Sequence, residues 1–478
     1  MVHMEKRIAS FATLFVSDML VLLISVMLAH FIRDNILPHF LLRFKIVPRY
    51  SLSHYLGYFY IGLACASVFA YERLYTKRFP FWEEVKILSK SSTIFFCILF
   101  ILGFLTRKQT QFSRTILIAT WLISLIFFPI SRYLIKMLLI RIGLWNKSLL
   151  IIGANDLGAT ILENIKKNPT LGYTKLGFIN KDPQDIGKEI QGVKIVGVIS
   201  QLNDVAKSNN SRDIIIALSD LTREELLQLI STAENLSETV WVVPRFGDII
   251  TSGVEIENLG RIYALNIKKN LSKPWNLLIK NLYDICAAVI IIIILLPVLA
   301  LISVAIKLDS PGPVLFIQKR IGKQKKAFKL LKFRSMYIDA DHRLEKYFKN
   351  DPMAIEEWQR YKKLKNHDPR VTRVGKIIRR YSLDELPQLF NVLQGKMSLA
   401  GPRPYITEEI EKQDAFMTII GRVKPGITGL WQTSGRSELS FEERIALDKF
   451  YVHNWSLWLD IVILLKSIRV PFSKKGAY

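Results

Sequence analysis

ICAAVIIIIILLPVLALISVAI, from Ile285 to Ile306, is the stretch on which the fold turns. Its 22 residues carry no charge, and a helix of about 20 apolar residues is long enough to cross the hydrocarbon core of a bilayer. Pro297 stands in the middle, where a proline removes a helical hydrogen bond and clashes with the preceding turn. Both flanks are basic. Lys268, Lys269, Lys273 and Lys280 come before it, and from Ser310 to Ile338 there are eight Lys and Arg and no acidic residue. Positive charge on both sides favours two ends on the same, cytoplasmic face. The expectation is a helix over about 277–306, broken at Pro297, that dips into one leaflet and returns. The competing arrangement is a full crossing.

The rest of the chain fits a membrane setting. It has 478 residues, is 50% hydrophobic and carries a formal charge of +25. The length suggests about three units. The hydrophobicity excludes a disordered chain and argues against a single soluble domain. Apolar content with strong basic charge indicates a membrane protein that meets anions: lipid phosphates, nucleotides or nucleic acid. The three cysteines, Cys65, Cys97 and Cys286, all lie in apolar sequence, so neither a disulfide framework nor a zinc site is expected.

Four apolar runs precede residue 145: Ile8–Ile32, Tyr55–Tyr71, Ile87–Leu105 and Thr115–Ile140. They read as four transmembrane helices, the first too long for a cleaved signal peptide. Counting Lys and Arg at their ends gives eleven on the side of the N-terminus and seven on the other. This bias favours a cytoplasmic N-terminus. Asp18 sits inside the first run. An intramembrane acid is a functional candidate; the plainer alternative is that it faces the bundle and bonds a Ser, Thr or Arg.

From Lys147 the sequence SLLIIGANDLGATILENI reads strand, glycine turn, helix. Further strands are expected at Leu176–Ile179, Ile195–Ile199, Ile214–Leu218 and Val240–Val243, with a polar helix at Thr222–Ala233. Such alternation implies a Rossmann-like parallel α/β domain. Gly153 and Gly158 fit a dinucleotide turn, but Asn155 replaces the glycine that lets backbone approach a pyrophosphate. A scaffold for regulation or self-association, with a homodimer formed through it, is the expectation here.

The chemistry gathers in the last third. RIGKQKKAFKLLKFRSM follows the apolar segment directly, so its cations are placed to meet lipid phosphate. No nucleic-acid motif accompanies it, and no nucleic-acid partner is expected. In DPRVTRVGKIIRRYSLDELPQLFNVLQGKMSLAGPRP, Asp368 to Pro404, Ser382 and Glu385 have the spacing of a helix capping box. Against that structural alternative, Arg370, Arg373, Lys376, Arg379 and Arg380 crowd the approach to Asp384 and Glu385. Adjacent carboxylates among guanidinium groups suit phosphoryl transfer, one attacking phosphorus and its neighbour holding Mg²⁺. A helix N-terminus and the nearby cations are expected to keep Asp384 ionised. Pro402 and Pro404 hold Arg403 between two stiff residues, ready to present its fork to a diphosphate. Trp431 and Arg436 lie in a second glycine-rich basic loop and are weaker candidates for base or phosphate contact. Trp455 and Trp458 read as interfacial anchors or core.

Residues from about Lys273 to Tyr478 resemble the bacterial sugar transferase family of monotopic polyprenyl-phosphate sugar-1-phosphate transferases. The resemblance rests on the Pro297 helix, GPVLFIQKRIGKQKKAFKLLKFRSM, the Asp368–Pro404 stretch and KPGITGLWQTSGR. It implies a reaction at the bacterial inner membrane with a cytoplasmic catalytic domain. A UDP-hexose gives hexose-1-phosphate to undecaprenyl phosphate and UMP leaves, the first membrane step of O-antigen, capsule or exopolysaccharide assembly. The whole-chain pattern implies galactose, with glucose the nearest rival. By resemblance Asp384 is the nucleophile of a covalent phosphosugar intermediate, Glu385 ligates Mg²⁺, Pro402, Arg403 and Pro404 line the nucleotide site, and Arg320, Lys332 and Arg334 hold phosphates. One departure is Leu296-Pro297, where small members often carry Ser-Pro. The expected organisation is a four-helix transmembrane domain over 1–145, the Rossmann-like domain over 146–270 and a mainly α catalytic domain over 271–478. Two other functions compete: a non-catalytic assembly platform, and an NAD-dependent sugar-nucleotide enzyme in the middle domain, against which Asn155 counts.

Overall fold

The computed structural model describes residues 2–40, 59–105, 113–209, 211, 213–218, 220–243, 254–258, 263–267, 270–351, 355, 358, 364, 368–406, 420–434 and 439–469. They belong to two compact units, Met1–Gly247 and Asp248–Tyr478.

In the first unit, helix α1 (Val2–Phe31) runs on through a π turn at Ile32–Ile36. Helices α2 (Phe59–Tyr71), α3 (Phe81–Leu105) and α4 (Arg114–Arg141) follow. Helices α1, α3 and α4 are long and apolar enough to cross a membrane, whereas α2 is shorter over its described residues. The expected start of the second run, 55–58, lies outside the described residues. Leu14, Phe69, Leu88 and Phe128 are buried in one cluster that joins all four helices.

Asp18 does face the bundle. Arg132 donates from Nε and Nη2 to its two oxygens at 3.0 and 2.5 Å, and from Nη1 to the Leu74 carbonyl at 3.0 Å. Lys136 donates to Glu84 at 2.7 Å. Buried ions persist only when paired and hydrogen-bonded in this way. Arg132 and Lys136 are therefore interior partners and carry no information about orientation, although the sequence count includes them. The Lys6 ammonium reaches the Gly143 carbonyl at 3.3 Å, which brings the start of α1 and the end of α4 to one side.

The α/β part is a six-stranded sheet. Its strands are β1 (Lys147–Ile152), β2 (Tyr173–Asn180), β3 (Glu189–Ile190), β4 (Val193–Val198), β5 (Asp213–Ile216) and β6 (Thr239–Val242), ordered β3-β4-β2-β1-β5-β6. All pairs are parallel except the short β3 edge. Apolar clusters cover both faces, as parallel sheets require. At the glycine turn, Asn155 accepts from the Gly158 N–H at 2.9 Å and donates to the Ala217 carbonyl at 3.0 Å. Its side chain thus takes the helix N-terminal donor that a phosphate uses in this type of fold.

The second unit begins, after a hairpin of β7 (Val254–Asn258) and β8 (Tyr263–Ile267), with a 36-residue helix, α5 (Pro274–Asp309). The expected break is not seen: the segment is helical without interruption through Pro297. A proline deletes one hydrogen bond of a ladder, and apolar helices tolerate that loss when neighbouring bonds and packing persist. Ser303, six residues on, makes a back-bond of its own to the Leu299 carbonyl at 2.7 Å.

One face of α5 rests on the unit along both halves. Ala288, before the proline, packs with Leu330, Leu389 and Met397. Leu299, Ile302 and Ile306, after it, pack with Phe333 and Ile378. The opposite face is bare and apolar, with Ile294 67% and Leu301 71% exposed.

Candidate active site

Beside α5 lies an antiparallel hairpin, β9 (Leu315–Ile321) and β10 (Ala327–Phe333). Helix α6 (Arg373–Arg380) leads into a single 3-10 turn, Leu383–Glu385, which carries both carboxylates, and helix α7 (Gln388–Leu393) follows. Leu383 and Leu386 flank the carboxylates and pack on the Leu299–Ile306 end of α5. The buried Asn391 clamps α7 to β10. Its side chain accepts from the Leu331 N–H at 2.9 Å and donates to the Lys329 carbonyl at 2.8 Å. These contacts set Lys332 of β10 opposite the turn.

The capping box does not form. Ser382 has φ 54° and makes no side-chain cap. The chain reverses sharply after α6, and a left-handed residue is the usual way to close such a turn. For a non-glycine residue this costs about 1–3 kcal/mol. Glu385 is thereby released to pair with the Lys332 ammonium at 2.8 Å. Asp384 is half-buried. Its enclosure raises the carboxyl above the ordinary aspartate range and Glu385 adds to the rise, while Lys332 and Arg379 oppose it. Desolvation outweighs the cations, so the carboxyl titrates above, not below, the ordinary aspartate range.

The other expected residues divide. Arg379 donates from Nε to Ser335 at 2.7 Å and acts electrostatically on Asp384. Arg370 forms a two-pronged pair with Asp368 at 2.8 and 2.7 Å and lies over the Trp358 ring. Arg380 is exposed at the end of α6. Arg334 is buried, and its fork holds the carbonyls of Ser310 and Pro311 at the exit of α5. Arg320 donates to Gln318 at 3.0 Å and to the Pro404 carbonyl at 3.4 Å. Arg436 lies outside the described residues.

The Pro402–Pro404 loop follows strand β11 (Ser398–Ala400), which pairs in parallel with β12 (Gly426–Thr428). A Cβ on Gly426 would stand 2.1 Å from the Gly401 nitrogen, so these two glycines permit the strand contact. The Pro402 carbonyl accepts from the Gly426 N–H at 2.8 Å. The guanidinium of Arg403 lies over the Trp431 ring, 5.6 Å from its centroid.

Two positioning carboxylates escape a sequence reading. Asp448, on helix α8 (Phe441–Asn454), accepts from the Tyr405 hydroxyl at 2.8 Å and the Arg403 N–H at 3.3 Å. Burial pushes its carboxyl up to about 7. Asp460, on helix α9 (Leu457–Arg469), accepts from Lys280, Tyr451 and Trp455 at 2.7, 2.7 and 2.9 Å. Lys280 and Tyr451 also donate to the Ala400 carbonyl at 3.1 and 2.8 Å, which fixes the strand just before the Arg403 loop. Trp455 is accordingly core. A lone Asp in a helical pattern gives no sign of such partners.

Among the described residues no three His, Cys, Asp or Glu side chains gather into a metal cage. Asp384 and Glu385 form a hard-oxygen pair, and Mg²⁺ commonly takes one or two carboxylates together with substrate phosphates. The donor set fits an ion that arrives with a diphosphate.

The bacterial sugar transferase family matches residues 275–474, and a CoA-binding domain family matches residues 71–244. The chain is 36% identical over 409 residues to the UDP-galactose-lipid carrier transferase of Erwinia amylovora, covering 85% of this chain and 84% of that one. It is 33% identical over 458 residues to the undecaprenyl-phosphate galactose phosphotransferase of Salmonella typhimurium, covering 94% and 92%. The exopolysaccharide production protein ExoY of Rhizobium meliloti is 43% identical over 206 residues, 43% of this chain and 91% of that one. With its apolar helices and a carboxylate turn set beside one of them, the chain is a membrane transferase and belongs to the bacterial sugar transferase family.

Proposed function

We propose that this protein transfers hexose-1-phosphate from a UDP-hexose to undecaprenyl phosphate, with galactose as the hexose, and so starts the assembly of a bacterial surface polysaccharide at the inner membrane. The observation that carries the proposal is the placement of the Asp384–Glu385 turn. Its own leucines seat it on the apolar helix, and cations line its other side. A lipid phosphate at the membrane surface and a soluble sugar nucleotide can both reach such a site.

The chemistry follows in two displacements. The Asp384 carboxylate attacks the sugar-bearing phosphorus, the bond to the bridging oxygen breaks, and UMP leaves. An oxygen of undecaprenyl phosphate then attacks the same phosphorus and releases Asp384. Lys332 and Arg379 offset the charge on phosphate oxygens. Glu385 is the proposed holder of Mg²⁺, which when bound would neutralise diphosphate charge. Arg403, held through its own N–H by Asp448, is the proposed nucleotide contact.

The galactose relatives match this chain over most of its length, which favours UDP-galactose. In a UMP-release assay with full-length protein, undecaprenyl phosphate and Mg²⁺, UDP-galactose should exceed UDP-glucose at least about tenfold, the scale of a single well-used polar contact. Equal rates would remove the galactose assignment and leave the reaction class standing.

We also propose that α5, helical throughout, bends at Pro297 and so enters and leaves the membrane on the cytoplasmic side. Both of its halves pack on the same unit, whereas a perpendicular crossing would carry one half about 30 Å away. A tag at Tyr478 should resist periplasmic labelling in intact cells. Labelling from outside would sink the re-entrant arrangement.

A further inference from the structure

A cavity of about 1250 Å³ opens in the first unit between the ends of the membrane helices and the sheet. One wall is the start of α1 with the turn after α2. The other is the sheet edge where β1, β2, β5 and β6 begin. This is the edge opposite the Gly153 turn, where ligands of such sheets normally sit. Seven cations line it against two carboxylates, Asp213 and Glu238. Both carboxylates are already engaged: Lys147 pairs with Asp213 at 2.5 Å, and Arg7 pairs with Glu238. Exposed Arg73, Lys77 and Lys175 therefore contribute charge that these acids do not offset. Arg73 is held at φ 58° by the turn that aims this wall. Phe11, Trp145 and Trp241 add apolar surface among the cations.

Cations mixed with aromatic side chains, at the level where membrane helices leave the bilayer, match the headgroup region of an anionic lipid. We propose that this cavity seats the phosphate of an anionic phospholipid and so ties the α/β sheet to the bilayer. The shared chemistry is a phosphate ester, which a soluble nucleotide also carries, and the test separates the two sources.

Full-length protein in detergent is titrated with phosphatidylglycerol, with phosphatidylcholine, with inorganic phosphate and with UMP, and bound ligand is read by native mass spectrometry. The expected result is at least a tenfold preference for phosphatidylglycerol over phosphatidylcholine. The combined variant Arg73→Gln, Lys77→Gln, Lys175→Gln should abolish it. A control variant, Lys194→Gln, Lys207→Gln, Arg223→Gln, removes the same charge from exposed positions elsewhere on the domain and should keep the preference. All six positions are exposed, so folding should survive, and an unchanged elution profile verifies it. An undiminished preference in the cavity variant, or equal loss in both variants, overturns the proposal. Binding of UMP or phosphate at the cavity without phosphatidylglycerol reassigns it to a soluble anion and overturns the lipid.

Discussion

Asp384→Asn should lower UMP release by about 10³-fold or more while leaving the protein folded, because the amide keeps the shape of the carboxylate and loses the nucleophile. Burial already disfavours the charged carboxylate here, so a neutral amide of the same shape should not destabilise the unit. Residual UMP release near the wild-type rate in purified Asp384→Asn would falsify the covalent route. The same carboxyl predicts a pH limb. Its raised pKa means that the attacking, ionised form is lost as pH falls, and lost earlier than for an ordinary aspartate. The rate should therefore decline on the acid side at a pH above the usual carboxylate range. A Lys332→Met variant removes the cation that most favours the ionised carboxyl and should move that limb higher still. A limb that stays in place on loss of Lys332 would mean that another group controls it.

Asp460→Ala should cost about 3–5 kcal/mol, the typical penalty for removing one partner of a buried ion pair. The arithmetic is local. The substitution leaves the Lys280 ammonium buried without its closest carboxylate and takes an acceptor from Tyr451 and Trp455 at once. Asp284, at 3.7 Å from Lys280, is a weaker second partner. Asp460→Asn keeps an acceptor oxygen and should recover part of the loss. The measurement is thermal unfolding in detergent, read by tryptophan fluorescence, since Trp455 reports on the site directly. Activity should fall with stability, because Lys280 and Tyr451 anchor the Ala400 carbonyl beneath the Pro402–Pro404 loop. An unfolding midpoint within a degree or two of wild type would show that this buried network does not hold the unit together.

Much of the architecture was legible because it follows from local pattern. Runs of uncharged residues declare membrane helices whatever surrounds them. Alternating apolar strands and polar helices declare a parallel sheet, and the observed strands fall on the expected segments within a few residues. The Asp384–Glu385 pair stands out in the sequence as a candidate for chemistry because two adjacent acids in a basic stretch are unusual. Its local geometry was not. Ser382 and Glu385 have ideal capping spacing, yet the chain must reverse after α6, and that demand puts Ser382 in the left-handed region and turns Glu385 toward Lys332.

The sequence by itself determined what each segment prefers: which stretches avoid water, where helix and strand alternate, and which side chains bring charge. Tertiary structure decided which charges meet. Asp18 finds Arg132, Glu84 finds Lys136, and Asp460 finds Lys280 from 180 residues away. It also decided that α5 stays helical through Pro297, and that enclosure outweighs nearby cations at Asp384. The physical reason is common to all of these. Hydrophobic preference is a property of each residue and its near neighbours, whereas desolvation and ion pairing depend on distances between chain segments that only the folded state sets.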